Sequence, residues 1–185
     1  EDPLTGLANR ASFDAWLHEA VHRSDREAQP VAVFFVDLDA FKPVNDSFGH
    51  DCGDAVLREV GLRLQALSGH DVKAARVGGD EFLLLAHAGR EDAAALARRA
   101  LSSLTKPIAT EGHEVQLSCS IGIVLYPEHG SRPTLLARAD AAMFAAKRSG
   151  GATYAFYEPS MDADVRDKLE LLRDLRRAVD DKRLE

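Results

Sequence analysis

Apolar residues switch between helical and strand spacing along the chain. Phe13, Trp16, Leu17, Ala20 and Val21 recur at three- and four-residue intervals and predict a helix over residues 11–28. Residues 31–36 are almost wholly apolar, β-branched and aromatic, the pattern of a strand buried on both faces. Val56, Leu57, Val60, Leu64 and Leu67 place a second helix over 53–67. Two strand-like runs, 72–77 and 81–87, flank Gly78-Gly79 and predict a tight hairpin, because Gly-Gly supplies the positive φ angles of a two-residue primed turn. An Ala-rich helix over 91–104, a strand over 115–125, a helix over 133–147 and a short strand over 154–157 complete the pattern.

Strands and helices alternate, yet one strand pair is a hairpin. The expected fold is therefore α/β (α+β), with a mixed or antiparallel sheet and helices packed on it. Beyond 158, Val165, Leu169, Leu172, Leu175 and Val179 fall in register on a charged helix over 165–183. That pattern divides the chain into a domain, 1–158, and a connector, 159–185.

Composition narrows the class. A chain of 185 residues buries roughly 70% of its unfolded surface and needs no metal or disulfide staple. The net charge of −7 argues against nucleic acid or an anionic membrane as partner, since either wants a basic stripe. Two cysteines, Cys52 and Cys119, make no framework, which suits a reducing, cytoplasmic setting. No run reaches membrane-spanning length. The abrupt opening on Glu1-Asp2-Pro3 is what an excised segment shows, so any sensor or membrane anchor is expected outside this chain.

Acids at strand ends carry the chemistry. Asp37 and Asp39 close the apolar strand on one face, and Asp80 and Glu81 follow the glycines of the hairpin. Each pair alone reads as strand capping or a solvated turn. Together, with the hairpin beside the strand, Asp37, Asp80 and Glu81 converge, and clustered carboxylates require a compensating cation. Oxygen-only donors favour a hard ion, Mg2+ or Mn2+, which typically carries phosphates. Between the pairs, Asn45 and Asp54 can read a guanine edge and Lys42 can meet phosphate; the alternative is an Asn-Asp turn and a helix N-cap at Asp54. No GxxxxGK[ST] loop occurs. His18-Glu19-Ala20-Val21-His22 matches HExxH, but the buried face of that helix is already assigned and no third ligand follows at a protease-like spacing.

In order, Asp2-Pro3-Leu4-Thr5-Gly6-Leu7-Ala8-Asn9-Arg10, Asp37-Leu38-Asp39-Ala40-Phe41-Lys42 through Gly53-Asp54, Arg76-Val77-Gly78-Gly79-Asp80-Glu81-Phe82, Ser120-Ile121-Gly122-Ile123 and Ala139 to Lys147 resemble the GGDEF family of diguanylate cyclases. The resemblance implies a sheet similar to nucleotidyl cyclase and polymerase palms, central, mainly antiparallel and flanked by helices. It implies condensation of two GTP into cyclic di-GMP and two pyrophosphates by a homodimer in which each domain holds one GTP. Carried over residue by residue, it assigns Asp37, the Leu38 carbonyl, Asp80 and Glu81 to metal. It makes Asp80 the first catalytic candidate, with Glu81 beside it. Asn45 and Asp54 would read guanine with His50 nearby, and Phe41, Lys42 and Lys147 would hold phosphates.

The resemblance also implies an Asp2–Arg76 pair. Two positions depart from the family pattern. Gly69 and Val72 stand where an inhibitory Arg-x-x-Asp belongs, so product feedback is expected to be weak or absent. Gly151 stands where a phosphate-contacting arginine belongs; losing one charge-assisted contact costs roughly 1.5–3 kcal/mol, and Arg148 is the candidate substitute. The tail, Lys168 to Val179, is similar to the connector that precedes an EAL phosphodiesterase domain. That leaves a second reading, a GTP-binding regulatory module that tunes such a partner.

Overall fold

The computed structural model describes residues 1–67 and 72–162; the connector over 165–183 and Gly69 lie outside them. The first helix, α1 (Arg10–Glu27), starts at an Asn9 cap whose side chain accepts from the Ser12 amide at 3.0 Å. The apolar run becomes β1 (Val31–Asp39), buried from Val31 to Leu38. It occupies the middle of a five-stranded sheet in the order β2-β3-β1-β6-β7. Its antiparallel neighbours are β3 (Glu81–His87) and β6 (Ser118–Tyr126), and β3 pairs in turn with β2 (Val72–Gly78). The last strand, β7 (Tyr154–Phe156), adds to β6 in parallel. The sheet is thus mainly antiparallel and mixed at one edge.

Alternation along β1 divides two cores. Ala32, Phe34, Val36 and Leu38 face α3 (His50–Leu67) and α4 (Arg90–Leu104), while Val31, Val33 and Phe35 face α1 and α5 (Arg132–Arg148). Asp37 and Asp39 continue the second face, so the strand delivers both acids toward the helix α5. A small hairpin, β4 (Ile108–Thr110) with β5 (His113–Val115), covers part of the first core; the apolar pattern had marked only the Val115 end of it.

Two elements differ from the sequence-based expectation. Residues 41–48 form a separate helix, α2 (Phe41–Phe48), despite Pro43, Asn45 and Ser47. Burial of Phe41 and Val44 against the first core stabilises it, and Pro43 sits in the first turn where no amide bond is lost. Gly49, at φ +85°, turns the chain so that α3 begins at His50 rather than at residue 53. Asp54 therefore lies inside the helix and is not its N-cap. The hairpin turn is also displaced by one residue. Gly78 pairs with Glu81 after a bulge near Val77, leaving Gly79 (φ +46°) and Asp80 as the turn.

Candidate active site

One glycine sets the distance between helix and sheet. At Gly122 of β6 a Cβ would lie 1.9 Å from the Ala139 carbonyl oxygen and 2.2 Å from the Met143 nitrogen, so the α5 backbone rests directly on the strand. One turn beyond Met143, Lys147 reaches the end of β1 and its ammonium bonds Asp37 Oδ1. Asp37 is only 8% exposed, whereas the Lys147 side chain keeps 33%.

The hairpin supplies the other acids. Glu81 stands directly opposite Asp37 in the β1–β3 register, and the Leu38 amide donates to the Asp80 carbonyl at 3.3 Å, fixing the turn to β1. Arg76 secures the turn from outside. Its Nε and one Nη donate to the Gly79 carbonyl at 3.0 and 2.7 Å, and the other Nη reaches both Asp2 oxygens at 3.1 Å. The expected Asp2–Arg76 pair is therefore present. Burial draws the Asp2 carboxyl upward, but bonds from Thr5 and Arg76 outweigh it and hold Asp2 below the usual carboxylate range.

The inner acids move the other way. Burial raises Asp37, the charges of Asp80 and Asp39 add to the shift, and Lys147 opposes it. Burial likewise raises Glu81, with Asp37, Asp140 and Asp80 pushing in the same direction against Lys147. The cluster holds more negative charge than one ammonium compensates. Among the described residues no three His, Cys, Asp or Glu side chains close around a metal position. Magnesium needs no such cage: it retains waters and binds through one or two carboxylates plus substrate phosphates. The all-oxygen donors here, with two carboxyls already pushed toward protonation, fit that requirement.

Asp39 belongs to a different arrangement. Its Oδ1 accepts from Ser120 Oγ at 2.7 Å, and its Oδ2 from Ser118 Oγ at 2.7 Å and the Ala152 amide at 2.9 Å. Nothing in the apolar pattern announced this, although Ser118 and Ser120 alternate on β6 opposite the two acids. Cys119 between them faces the other core, and burial pushes its thiol up to about 12, with Asp39 and Asp37 adding to the shift.

The remaining candidates lie at the α2–α3 corner. The Leu38 and Phe41 side chains are buried in the core, which leaves only their backbone groups for a ligand. The first amides of α2, at Phe41 and Lys42, lack partners within the helix, and Lys42 is exposed. Asn45 is half-buried, with Oδ1 only 1.8 Å from where a Cβ on Gly53 would stand, so Gly53 admits it against α3. Asp54, half-buried one residue on, lines a cleft of about 470 Å³ with Phe48, Arg58 and His113, between α3 and the β4–β5 hairpin. His50 is exposed at the start of α3, and Arg148 is exposed beside Lys147.

The structure thus gathers Asp37, Asp80, Glu81 and Lys147 at one sheet end and Asn45 and Asp54 at one helix corner. His18 and His22 are exposed on α1, their rings edge-on at 4.3 Å, and Glu19 pairs with Arg23 at 3.5 Å.

A family model described as the GGDEF domain of diguanylate cyclases matches residues 1–153. The chain is 44% identical to the Pseudomonas aeruginosa bifunctional diguanylate cyclase/cyclic di-GMP phosphodiesterase MucR over 99% of its own length. It is 41% identical to the Escherichia coli cyclic di-GMP phosphodiesterase PdeR, again over 99%. It spans only 27% and 28% of those two proteins. Among solved structures, the isolated GGDEF domain of TpbB from Pseudomonas aeruginosa superposes with a TM-score of 0.85 at 36% identity, covering 90% of this chain and 99% of that one.

Proposed function

The chain belongs to the GGDEF domain family, and from that membership we propose that it condenses two GTP molecules into cyclic di-GMP and two pyrophosphates. The observation that carries this reading is the sheet-end cluster: Asp37 and Glu81 face one another on neighbouring strands, both shifted toward protonation, with Lys147 as ammonium counter-charge. A site built for a triphosphate and a hard cation has this excess of carboxylate.

Each residue has a part. Asp54 accepts from the guanine N1 and N2 donors and Asn45 contacts its other polar edge atoms, with His50 beside them. The α2 amides at Phe41 and Lys42, the Lys42 ammonium and Lys147 hold phosphate oxygens, with Arg148 in place of the arginine absent at Gly151. Asp37, the Leu38 carbonyl, Asp80 and Glu81 are the donors for Mg2+ or Mn2+. Held there, such an ion would supply Lewis-acid polarisation of a phosphate and charge neutralisation. Asp80 and Glu81 flank the position where the ribose 3′-hydroxyl gives up its proton, and a carboxylate raised by burial is the better acceptor. One domain holds one nucleotide, so the second comes from a partner copy meeting it face to face.

The regulatory alternative keeps two observations in its favour. Gly151 has no side chain to offer phosphate, and a relative as similar as PdeR is named for phosphodiesterase activity. We infer a parent that continues into an EAL domain, on the strength of a match that runs through 99% of this chain yet spans about a quarter of MucR. Incubating the protein with GTP and magnesium at rising protein concentration tests the cyclase reading. Cyclic di-GMP formation should climb faster than linearly, and Asp80→Ala should abolish it while GTP binding persists. GTP binding without product in the unaltered protein would instead establish the regulatory module.

A further inference from the structure

Asp39 is two residues from Asp37 on the same face of β1, yet its surroundings are unlike those of the acids assigned above. Three donors converge on it from two other chain segments: Ser118 and Ser120 from β6, and the Ala152 amide from the turn after α5. That turn folds back on the helix end. The Ser149 amide donates to Ala145 O, Gly150 to Lys147 O and Gly151 to Ala146 O, at 3.1, 3.1 and 3.2 Å. Gly151 adopts φ +73°, and a Cβ there would lie 2.9 Å from Asp39 Oδ2, so a side chain at residue 151 would press on the carboxylate that the turn seats on.

Helix ends fray unless their last carbonyls and the chain beyond are tied down. The last full turn of α5 carries Lys147. We propose that Asp39 is a positioning residue, whose carboxylate clasps the α5–β7 turn to the sheet and thereby holds the Lys147 ammonium on Asp37. The assignment of a role in turnover rests on the reading of Lys147 and Asp37 as part of the nucleotide site; the clasp itself does not.

Two readouts separate those claims. The first is the rate of lysine acylation by a water-soluble active ester, read by peptide mass spectrometry with the exposed Lys73 and Lys106 as internal references. Asp39→Ala should raise labelling of Lys147 by roughly fivefold or more, as expected for removal of three bonds to a charged acceptor. Asp39→Asn keeps an acceptor for the Ala152 amide and should stay within about twofold of the unaltered protein. Gly151→Ala, which presses on Asp39 from the opposite side, should shift Lys147 as Asp39→Ala does and covers the case in which that variant does not fold. A merely stabilising Asp39 would lower Tm and leave Lys147 labelling unchanged, and that result overturns the proposal.

The second readout is catalytic. Asp39→Ala should lower kcat by about tenfold or more and weaken the Kd for GTP by a similar factor, because the displaced Lys147 is a phosphate contact of the nucleotide site. An unaltered kcat together with exposed Lys147 would remove the catalytic consequence. If the unaltered protein makes no cyclic di-GMP, the proposed activity fails, and the labelling result still decides the clasp.

Discussion

Replacing Gly122 by alanine adds one carbon at the contact that sets the site. The new Cβ would lie 1.9 Å from Ala139 O, 2.2 Å from Met143 N and 2.8 Å from Met143 Cα. All three are backbone atoms, so no rotamer change relieves the clash. Ordinary contact begins near 3.4 Å, which requires α5 to draw back by about 1.5 Å. The gap strips contacts from Leu135, Ala139, Ala142 and Met143, all buried against this face. Overpacking of this kind costs typically about 1–3 kcal/mol, and the entropy gained by replacing a strand glycine returns roughly 0.5–1 kcal/mol. With backbone on both sides of the clash, a net loss of about 2 kcal/mol is expected.

Equilibrium urea unfolding reads that loss as a lower midpoint at an unchanged m-value. The functional effect should exceed the loss of stability. Lys147 moves with the helix, and a misplacement of about 1 Å in a positioned group can cost on the order of a hundredfold in rate. An alanine variant with an unaltered midpoint, Lys147 as protected as before, and full cyclic di-GMP synthesis would refute the account of how α5 is placed.

Two further outcomes follow from the charges. Arg76→Lys should lower stability by about 1–2 kcal/mol at neutral pH, since an ammonium cannot span Asp2 and the Gly79 carbonyl together. Asp2 sits below its ordinary value, so the stability tied to its ionisation is complete above about pH 4 and is lost as pH falls through the lowered value; a Lys variant with the same deficit at neutral and at strongly acid pH would count against the pairing. Glu81→Gln should act in the opposite sense. With Glu81 raised in the folded protein, stability declines as pH climbs from its ordinary value of about 4.3 toward the raised one, and the cost is complete above it. The Gln variant should therefore melt higher than the unaltered protein at pH 7 without divalent cation and lose that advantage near about pH 3; a lower Tm at pH 7 would contradict the crowding of charge.

The sequence made the sheet legible where burial is two-sided or strictly periodic. The run at 31–36 marks the central strand, and the Gly78-Gly79 signal marks the hairpin. What escaped was local structure stabilised from a distance. The helix α2 has poor intrinsic propensity and exists because Phe41 and Val44 reach the core. The turn at Gly79 and Asp80 is displaced because a bulge at Val77 consumes one residue, a feature no hairpin dipeptide encodes. Asp37, Asp80 and Glu81 were legible as a group once the hairpin was placed beside β1. The Lys147–Asp37 contact joins residues 110 apart and depends on a helix resting on Gly122, so no local pattern could carry it.

Asp37 and Asp39 show why strand-end acids are not interchangeable. Both are aspartates at the end of β1, on the same face, and both pair across to serines of β6 in the register. Their difference lies in the donors they meet. Asp39 collects two hydroxyls and an amide, which satisfies its oxygens and commits it to the fold. Asp37 is buried, with one ammonium against the charges of Asp80 and Asp39, and is pushed toward protonation in consequence. An acid whose bonds are complete has nothing left for a ligand; one that is buried, crowded and under-compensated gains when a cation or a phosphate-bound metal arrives. The same argument assigns the cost. On the proposed cyclase reading, stability lost by holding Asp37 and Glu81 together would be recovered with substrate and ion in place, so Glu81→Gln should stabilise the free protein and still abolish cyclic di-GMP synthesis.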